Sequence, residues 1–138
     1  MKVVLDTNVF ISGIFWPGDF NKVINFWKDG KFKLITSLEM ISELIKVLKD
    51  FKIQLPEDMI KEWIDLIVKN SIIVEAEEKF KVVEDIKDNI FIEAAFAGKA
   101  DYIVSQDNHL LKLSEFRGIK IVAPEEFLAI IEESNKGK

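Results

Sequence analysis

Short apolar runs alternate along this chain with longer stretches whose apolar residues recur at helical spacing. Val3-Val4-Leu5 is a continuous run of strand formers, the pattern of a strand buried on both faces. Similar runs return at Phe32-Lys33-Leu34-Ile35, Ile72-Ile73-Val74, Tyr102-Ile103-Val104 and Ile119-Lys120-Ile121-Val122. Between the first two, Val9 to Phe15 predicts a short helix that ends at the breaker Trp16-Pro17-Gly18-Asp19. Val23, Ile24 and Trp27 then mark a second helix, stopped by Asp29-Gly30. Thr36-Ser37-Leu38-Glu39 has the form of a capping box, and Ile41, Leu44, Ile45 and Leu48 make the buried stripe behind it.

Pro56 opens a further helix, with Met59, Ile60, Trp63, Ile64, Ile67 and Val68 as its predicted inner face. Glu75 to Glu84 is charged and reads as a surface connection, in which Phe80, Val82 and Val83 need cover. Ile90 to Ala97 is apolar on almost every face and stops at Gly98, so this helix is expected to be deeply buried. Pro124 opens the last helix, with Phe127, Leu128, Ile130 and Ile131 facing inward. Strands alternating with helices mean βαβ units, right-handed crossovers and a parallel sheet of four or five strands. The expected organisation is one α/β domain over residues 1–132, followed by a frayed tail over 133–138.

Composition narrows the class. A chain of 138 residues buries about two-thirds of the surface it exposes when unfolded, and eleven Phe and three Trp make its core self-sufficient. The absence of cysteine excludes a disulfide scaffold and a thiolate metal site. No segment approaches the ~18 consecutive apolar residues of a membrane span, and the N-terminus lacks a signal-peptide pattern. A cytoplasmic location is therefore expected, with no membrane partner. The net charge of −5 argues against a general nucleic-acid coat protein. It leaves room for a nuclease, since an acidic cluster loaded with divalent cations presents a less negative face.

The candidate chemistry lies in carboxylates. Asp6-Thr7-Asn8 follows the first apolar run, and ligand crevices of open parallel sheets lie beyond the carboxyl ends of the strands. For Asp6 taken alone, a helix cap worth roughly 1 kcal/mol is the favoured account. The arrangement recurs, however, at Ser105-Gln106-Asp107 after Tyr102-Ile103-Val104. Asp85 and Asp88 both precede the buried helix, where one acid would suffice for capping. Glu43 lies off its helix's apolar stripe, and periodicity does not single it out over Glu39; pattern alone favours a solvated helix acid. The single histidine, His109, gives little material for a histidine-based metal site or a Ser-His-Asp triad.

In a parallel sheet Asp6, Glu43, Asp88 and Asp107 all reach the same rim. Two carboxylates ~5 Å apart repel by ~3 kcal/mol at an effective dielectric of about 20. Such a cluster holds protons or binds cations, and oxygen-only ligands suit Mg2+ or Mn2+.

Val4-Leu5-Asp6-Thr7-Asn8-Val9, the helix start from Ser37 to Leu44, Asp88-Asn89-x-Phe91-Ile92-Glu93, and Ala100-Asp101-Tyr102-Ile103-Val104-Ser105-x-Asp107 followed by Leu110-Leu111 together resemble the PIN-domain family. Their order and spacing, with Ile121-Val122-x-Pro124 behind them, are most similar to the PIN-type (VapC-like) toxins of prokaryotic toxin–antitoxin pairs. The resemblance implies a three-layer α/β/α fold and a metal-dependent endoribonuclease acting on single-stranded RNA. An antitoxin protein is the implied partner, and a homodimer the implied assembly. Carried onto this chain, the catalytic tetrad is Asp6, Glu43, Asp88 and Asp107, with Asp85 the competing choice for the third acid. Asp6, Asp88 and Asp107 are the metal ligands, and Asn8 and Ser105 give polar support.

Two other classes compete. An acidic-pocket phosphohydrolase also begins with a strand-end Asp, but needs a second Asp two residues on, where this chain has Asn8. A PIN-like scaffold whose acids are caps would act through protein binding alone.

Overall fold

The computed structural model describes residues 1–50 and 55–136. In chain order the elements are β1 (Lys2–Leu5), α1 (Thr7–Phe15), α2 (Asp19–Lys28), β2 (Lys33–Ser37), α3 (Leu38–Leu48), α4 (Glu57–Lys69), β3 (Ser71–Val74), α5 (Ile86–Ala97), β4 (Tyr102–Val104), α6 (Asn108–Leu113), β5 (Glu115–Phe116), β6 (Ile119–Val122) and α7 (Pro124–Lys136). The strands form one sheet in the order β3-β2-β1-β4-β6-β5. The five parallel strands are those expected from the apolar runs; β5, a two-residue antiparallel edge strand, carries no sequence signal and was not expected. α7 continues through Lys136, so the expected frayed tail is helical over 133–136, while Gly137 and Lys138 lie outside the described residues.

Alternation along the central strands divides the core in two. Val3, Leu5, Leu34, Val104 and Val122 point to one face, where α1, α2, α3, α4 and α7 cover them. Val4, Ile35, Ile103 and Ile121 point to the other, beneath α5 and α6. This is a three-layer α/β/α fold. On the first face Phe10 meets Trp27 and Trp63 edge-on, with ring centroids 5.6 and 6.1 Å apart, a geometry that aromatic quadrupoles favour.

Three local expectations change. The cap of α3 is Ser37, which accepts from the Met40 amide at 3.2 Å, rather than Thr36 of the capping box. Met59 and Val68 are 43% and 47% exposed, although both fall on the apolar stripe of α4. Only Ile60 and Ile67 of that helix are fully buried, because α4 flanks the sheet near its β3 edge and presents a narrower face inward. Of the three apolar residues in the charged connection, Phe80 and Val83 pack on the second core, whereas Val82 stays exposed.

Two glycines mark close approaches. Gly98 ends α5 where a side chain would lie 2.6 Å from Cδ1 of Ile35; the left-handed residue there is Lys99. Gly13, inside α1, faces α2 so closely that a Cβ would overlap Cγ1 of Ile24 and lie 2.7 Å from the Phe20 carbonyl oxygen. Since a backbone atom cannot rotate away, Gly13→Ala is expected to destabilise the protein by about 1–3 kcal/mol despite alanine's better helix propensity. Urea unfolding checks this, and a midpoint at or above wild type refutes it.

Candidate functional site

Strand order reverses between β1 and β4. The chain leaves β1 towards β2 and β3, then returns to place β4 on the opposite side of β1. Connections therefore run to opposite faces on either side of this seam, opening a crevice beyond the strands' carboxyl ends. Leu5 pairs with Val104, so the next residues, Asp6 and Ser105, lie side by side at that opening.

Asp6 is only 4% exposed. Its Oδ1 accepts from the Val9 amide at 2.9 Å, capping α1, and its Oδ2 accepts from the Ser105 hydroxyl. Ser105 Oγ also accepts from the Asp107 amide at 2.9 Å, which fixes the turn carrying Asp107. Asp107 repeats the pattern, capping α6 through the His109 amide at 2.8 Å. The cap and the site are thus compatible readings, because each carboxylate has a second oxygen or lone pair to offer the crevice.

The two candidates for the third acid separate cleanly. Asp85 is the exposed N-cap of α5 and accepts from the Lys87 amide at 3.0 Å. Asp88, in the first turn, is 8% exposed, and its buried Oδ2 has no hydrogen-bond partner. Burial, reinforced by the neighbouring Asp107 carboxylate and by charge from Asp85 and Asp6, pushes the Asp88 carboxyl up to about 7. Burial likewise raises Asp6 above the usual carboxylate range, opposed by its bonds from Ser105 and Val9 and reinforced by the charge of Asp107. Asp6, Asp88 and Asp107 therefore feel one another's charge.

Glu43 is half-buried, and its Oε2 accepts from Thr7 Oγ1 at 2.8 Å, whereas Glu39 is exposed. Long-range contact across α1 and α3 distinguishes the two glutamates that periodicity left equivalent. Asn8 is exposed and its side chain makes no hydrogen bond among the described residues, so the polar neighbour of Glu43 in this stretch is Thr7.

Two more residues enter that the sequence motif contained but to which it gave no role. Asn89 and Glu93 are buried on α5 and pin the 75–85 connection against it. Asn89 Oδ1 accepts from the Val82 and Val83 amides at 3.0 and 3.3 Å, and Glu93 Oε2 accepts from the Phe80 amide at 2.9 Å. His109, at the start of α6, brings Nδ1 to 3.5 Å from Asp107 Oδ1, and ligand atoms of Asp88, Asp107 and His109 lie within 4.8 Å of one another. Asp6 is not part of that set. The only sequence signal of His109 is its spacing two residues after Asp107.

These donors fit a divalent cation. A buried carboxylate oxygen without a hydrogen-bond donor beside a second carboxylate is satisfied by a proton or by a cation. Sheet, switch-point crevice and converging acids together define an α/β protein built around a carboxylate site. The chain belongs to the PIN domain family, whose model matches residues 2–109. It is similar to an uncharacterized protein of Methanocaldococcus jannaschii, with 28% identity over 96% of this chain and 93% of the relative. Among solved structures, it shares its fold with a chain of VapBC2 from Rickettsia felis, crystallised with a DNA fragment from its promoter. The TM-score is 0.59 at 15% identity, over 89% of this chain and 98% of the other. FitAcB from Neisseria gonorrhoeae matches over the same shares, with a TM-score of 0.54 and 12% identity. No helix among the described residues is long and apolar enough to cross a membrane.

Proposed function

We propose that this protein is a metal-dependent endoribonuclease that cleaves single-stranded RNA in the cytoplasm, and that it serves as the toxin of a toxin–antitoxin pair. The carrying observation is the buried Asp88 oxygen without a partner, set against Asp107 at the sheet's switch point. Membership of the PIN family supports the nuclease reading, and the shared fold with chains of VapBC2 and FitAcB supports the toxin role and an antitoxin partner.

Asp88 and Asp107 would hold Mg2+ or Mn2+, with Asp6 completing the site through its remaining lone pairs. When bound, such an ion activates a water and stabilises the leaving oxygen in phosphodiester cleavage. Ser105 holds Asp6 and the Asp107 turn in one register, so two ligands on different strands keep a fixed separation. Glu43, held by Thr7, would either bind the ion or accept a hydrogen bond from the attacking water and orient it. Incubation with a single-stranded RNA tests this reading: cleavage should require Mn2+ or Mg2+, stop with EDTA and return on re-addition. Cleavage indifferent to EDTA refutes it, and no cleavage with any divalent ion favours the protein-binding scaffold.

We further propose a homodimer, because exposed Trp16, Met59, Val68, Ile72 and Ile73 leave apolar surface to be covered. Light scattering at micromolar concentration should return twice the chain mass of 15.9 kDa; the single-chain mass refutes it.

A further inference from the structure

We propose that His109 supplies an imidazole nitrogen to the ion held by Asp88 and Asp107, making this a mixed oxygen–nitrogen site that prefers Mn2+ or Co2+ to Mg2+. The inference rests on the metal-site reading above and goes beyond it by naming a nitrogen ligand and the selectivity it confers.

Ligand atoms of the three residues already lie within 4.8 Å of one another. Around an octahedral ion with donors at about 2.1 Å, any two donors are roughly 3.0 or 4.2 Å apart, so modest side-chain rotations close the set. The buried, unpartnered Oδ2 of Asp88 independently points to a cation at this place.

The ring's setting assigns its two nitrogens. Nδ1 lies 3.5 Å from Asp107 Oδ1, and Nε2 lies 3.8 Å from Glu84 Oε2. A ligating histidine characteristically offers one nitrogen to the metal and donates its other N–H to a carboxylate, which fixes the tautomer. Here Nδ1, beside Asp107, would be the nitrogen offered to the ion, and Nε2–H would face Glu84. The fold arranges this through two separate devices. Asp107 caps α6 through the His109 amide, so ligand and ring start one short helix. Asn89 clamps Val82 and Val83 to α5, which delivers Glu84 across from that helix. Both His109 and Glu84 are exposed, so an incoming ion reaches them from solvent.

The chemical consequence is selectivity. Mg2+ demands oxygen ligands and gains little from imidazole, whereas Mn2+ and, more strongly, Co2+ accept nitrogen. The chain contains one histidine, so an imidazole signal on the ion has a single source.

The test uses the full-length protein loaded with Mn2+, read by pulsed electron paramagnetic resonance, with Mg2+, Mn2+ and Co2+ affinities from calorimetry. Hyperfine coupling to an imidazole nitrogen is expected in the wild type, shifted by 15N-histidine labelling and absent in His109→Ala. Mn2+ and Co2+ binding should weaken about 10-fold or more in His109→Ala, while Mg2+ binding stays within about 2-fold. No nitrogen coupling in the wild type, or equal weakening for all three ions, overturns the proposal. Asp88→Asn separates this failure from that of the underlying reading. If it abolishes binding while the wild type lacks nitrogen coupling, the metal site stands without the histidine. If it binds every ion as the wild type does, the acids are not the metal site.

Discussion

Asp88→Asn is expected to fold normally and to cleave single-stranded RNA at least about 10²-fold more slowly than the wild type, the scale of losing one strong electrostatic contact at a reacting centre. Asparagine keeps the size of the side chain and removes the charge that a cation would answer. The same change should not harm the metal-free protein. Asp88 sits buried beside Asp107 with an oxygen that receives no hydrogen bond, and an amide there has protons to donate to that neighbour. Activity loss combined with unchanged or higher thermal stability is therefore the expected signature, and a structural role alone would move both downward. Asp85→Asn is the matched control. Asparagine caps a helix as well as aspartate does, and Asp85 is exposed, so its activity should stay near wild type. Normal cleavage by Asp88→Asn together with a dead Asp85→Asn would exchange the roles assigned to these two residues. Single-turnover kinetics on one RNA, with EDTA blanks, decides the matter.

The second large effect concerns the ion and pH together. Asp6 and Asp88 both titrate higher in the folded protein than the ordinary carboxylate value of 3.8, Asp88 at about 7. The native state therefore binds more protons than the unfolded state between roughly pH 4 and 7, and the stability of the metal-free protein must fall as pH rises through that window. Above it the loss is complete and the curve flattens. On the order of 2 kcal/mol is expected for Asp88, about half the full shift, because water in the open crevice screens the charge. A cation replaces the missing protons. At pH 7.5, a hundredfold excess of Mn2+ over its Kd should add about 2.7 kcal/mol and raise Tm by roughly 10 °C. At pH 5 the rise should shrink, since protons compete for the same oxygens. Differential scanning calorimetry with EDTA and with Mn2+ at both pH values checks the sign. A metal-free protein more stable at pH 7.5 than at pH 5, or an undiminished Mn2+ effect in Asp88→Asn, would defeat the assignment.

Much of this molecule is readable from local pattern. Val3-Val4-Leu5, Tyr102-Ile103-Val104 and Ile119 to Val122 became central strands because continuous apolar runs suit a sheet covered on both faces. α5 is as buried as its apolar faces predict, and Asp6 and Asp107 end their strands at one rim because parallel connection puts all strand ends there. What pattern could not supply was anything set by residues distant in the chain. Met59 and Val68 satisfy the apolar period of α4, yet face solvent because the sheet beneath that helix runs out. Glu39 and Glu43 are alike by periodicity, and only the approach of α1 gives Glu43 its bond from Thr7, thirty-six residues away. Asp85 and Asp88 are both good acids for a helix start. Three residues of helical rotation put one at the cap in water and the other under the crevice, where burial lifts it to about 7. His109 looked too solitary for a metal site. Its companions are Asp107, two residues back at the cap of α6, and Asp88 on α5, 21 residues back, so no spacing rule within one element reveals the set. Local sequence determines which faces must be buried and where carboxylates end strands. Which of those carboxylates lose their water, and what stands beside them, is decided only when separate elements pack.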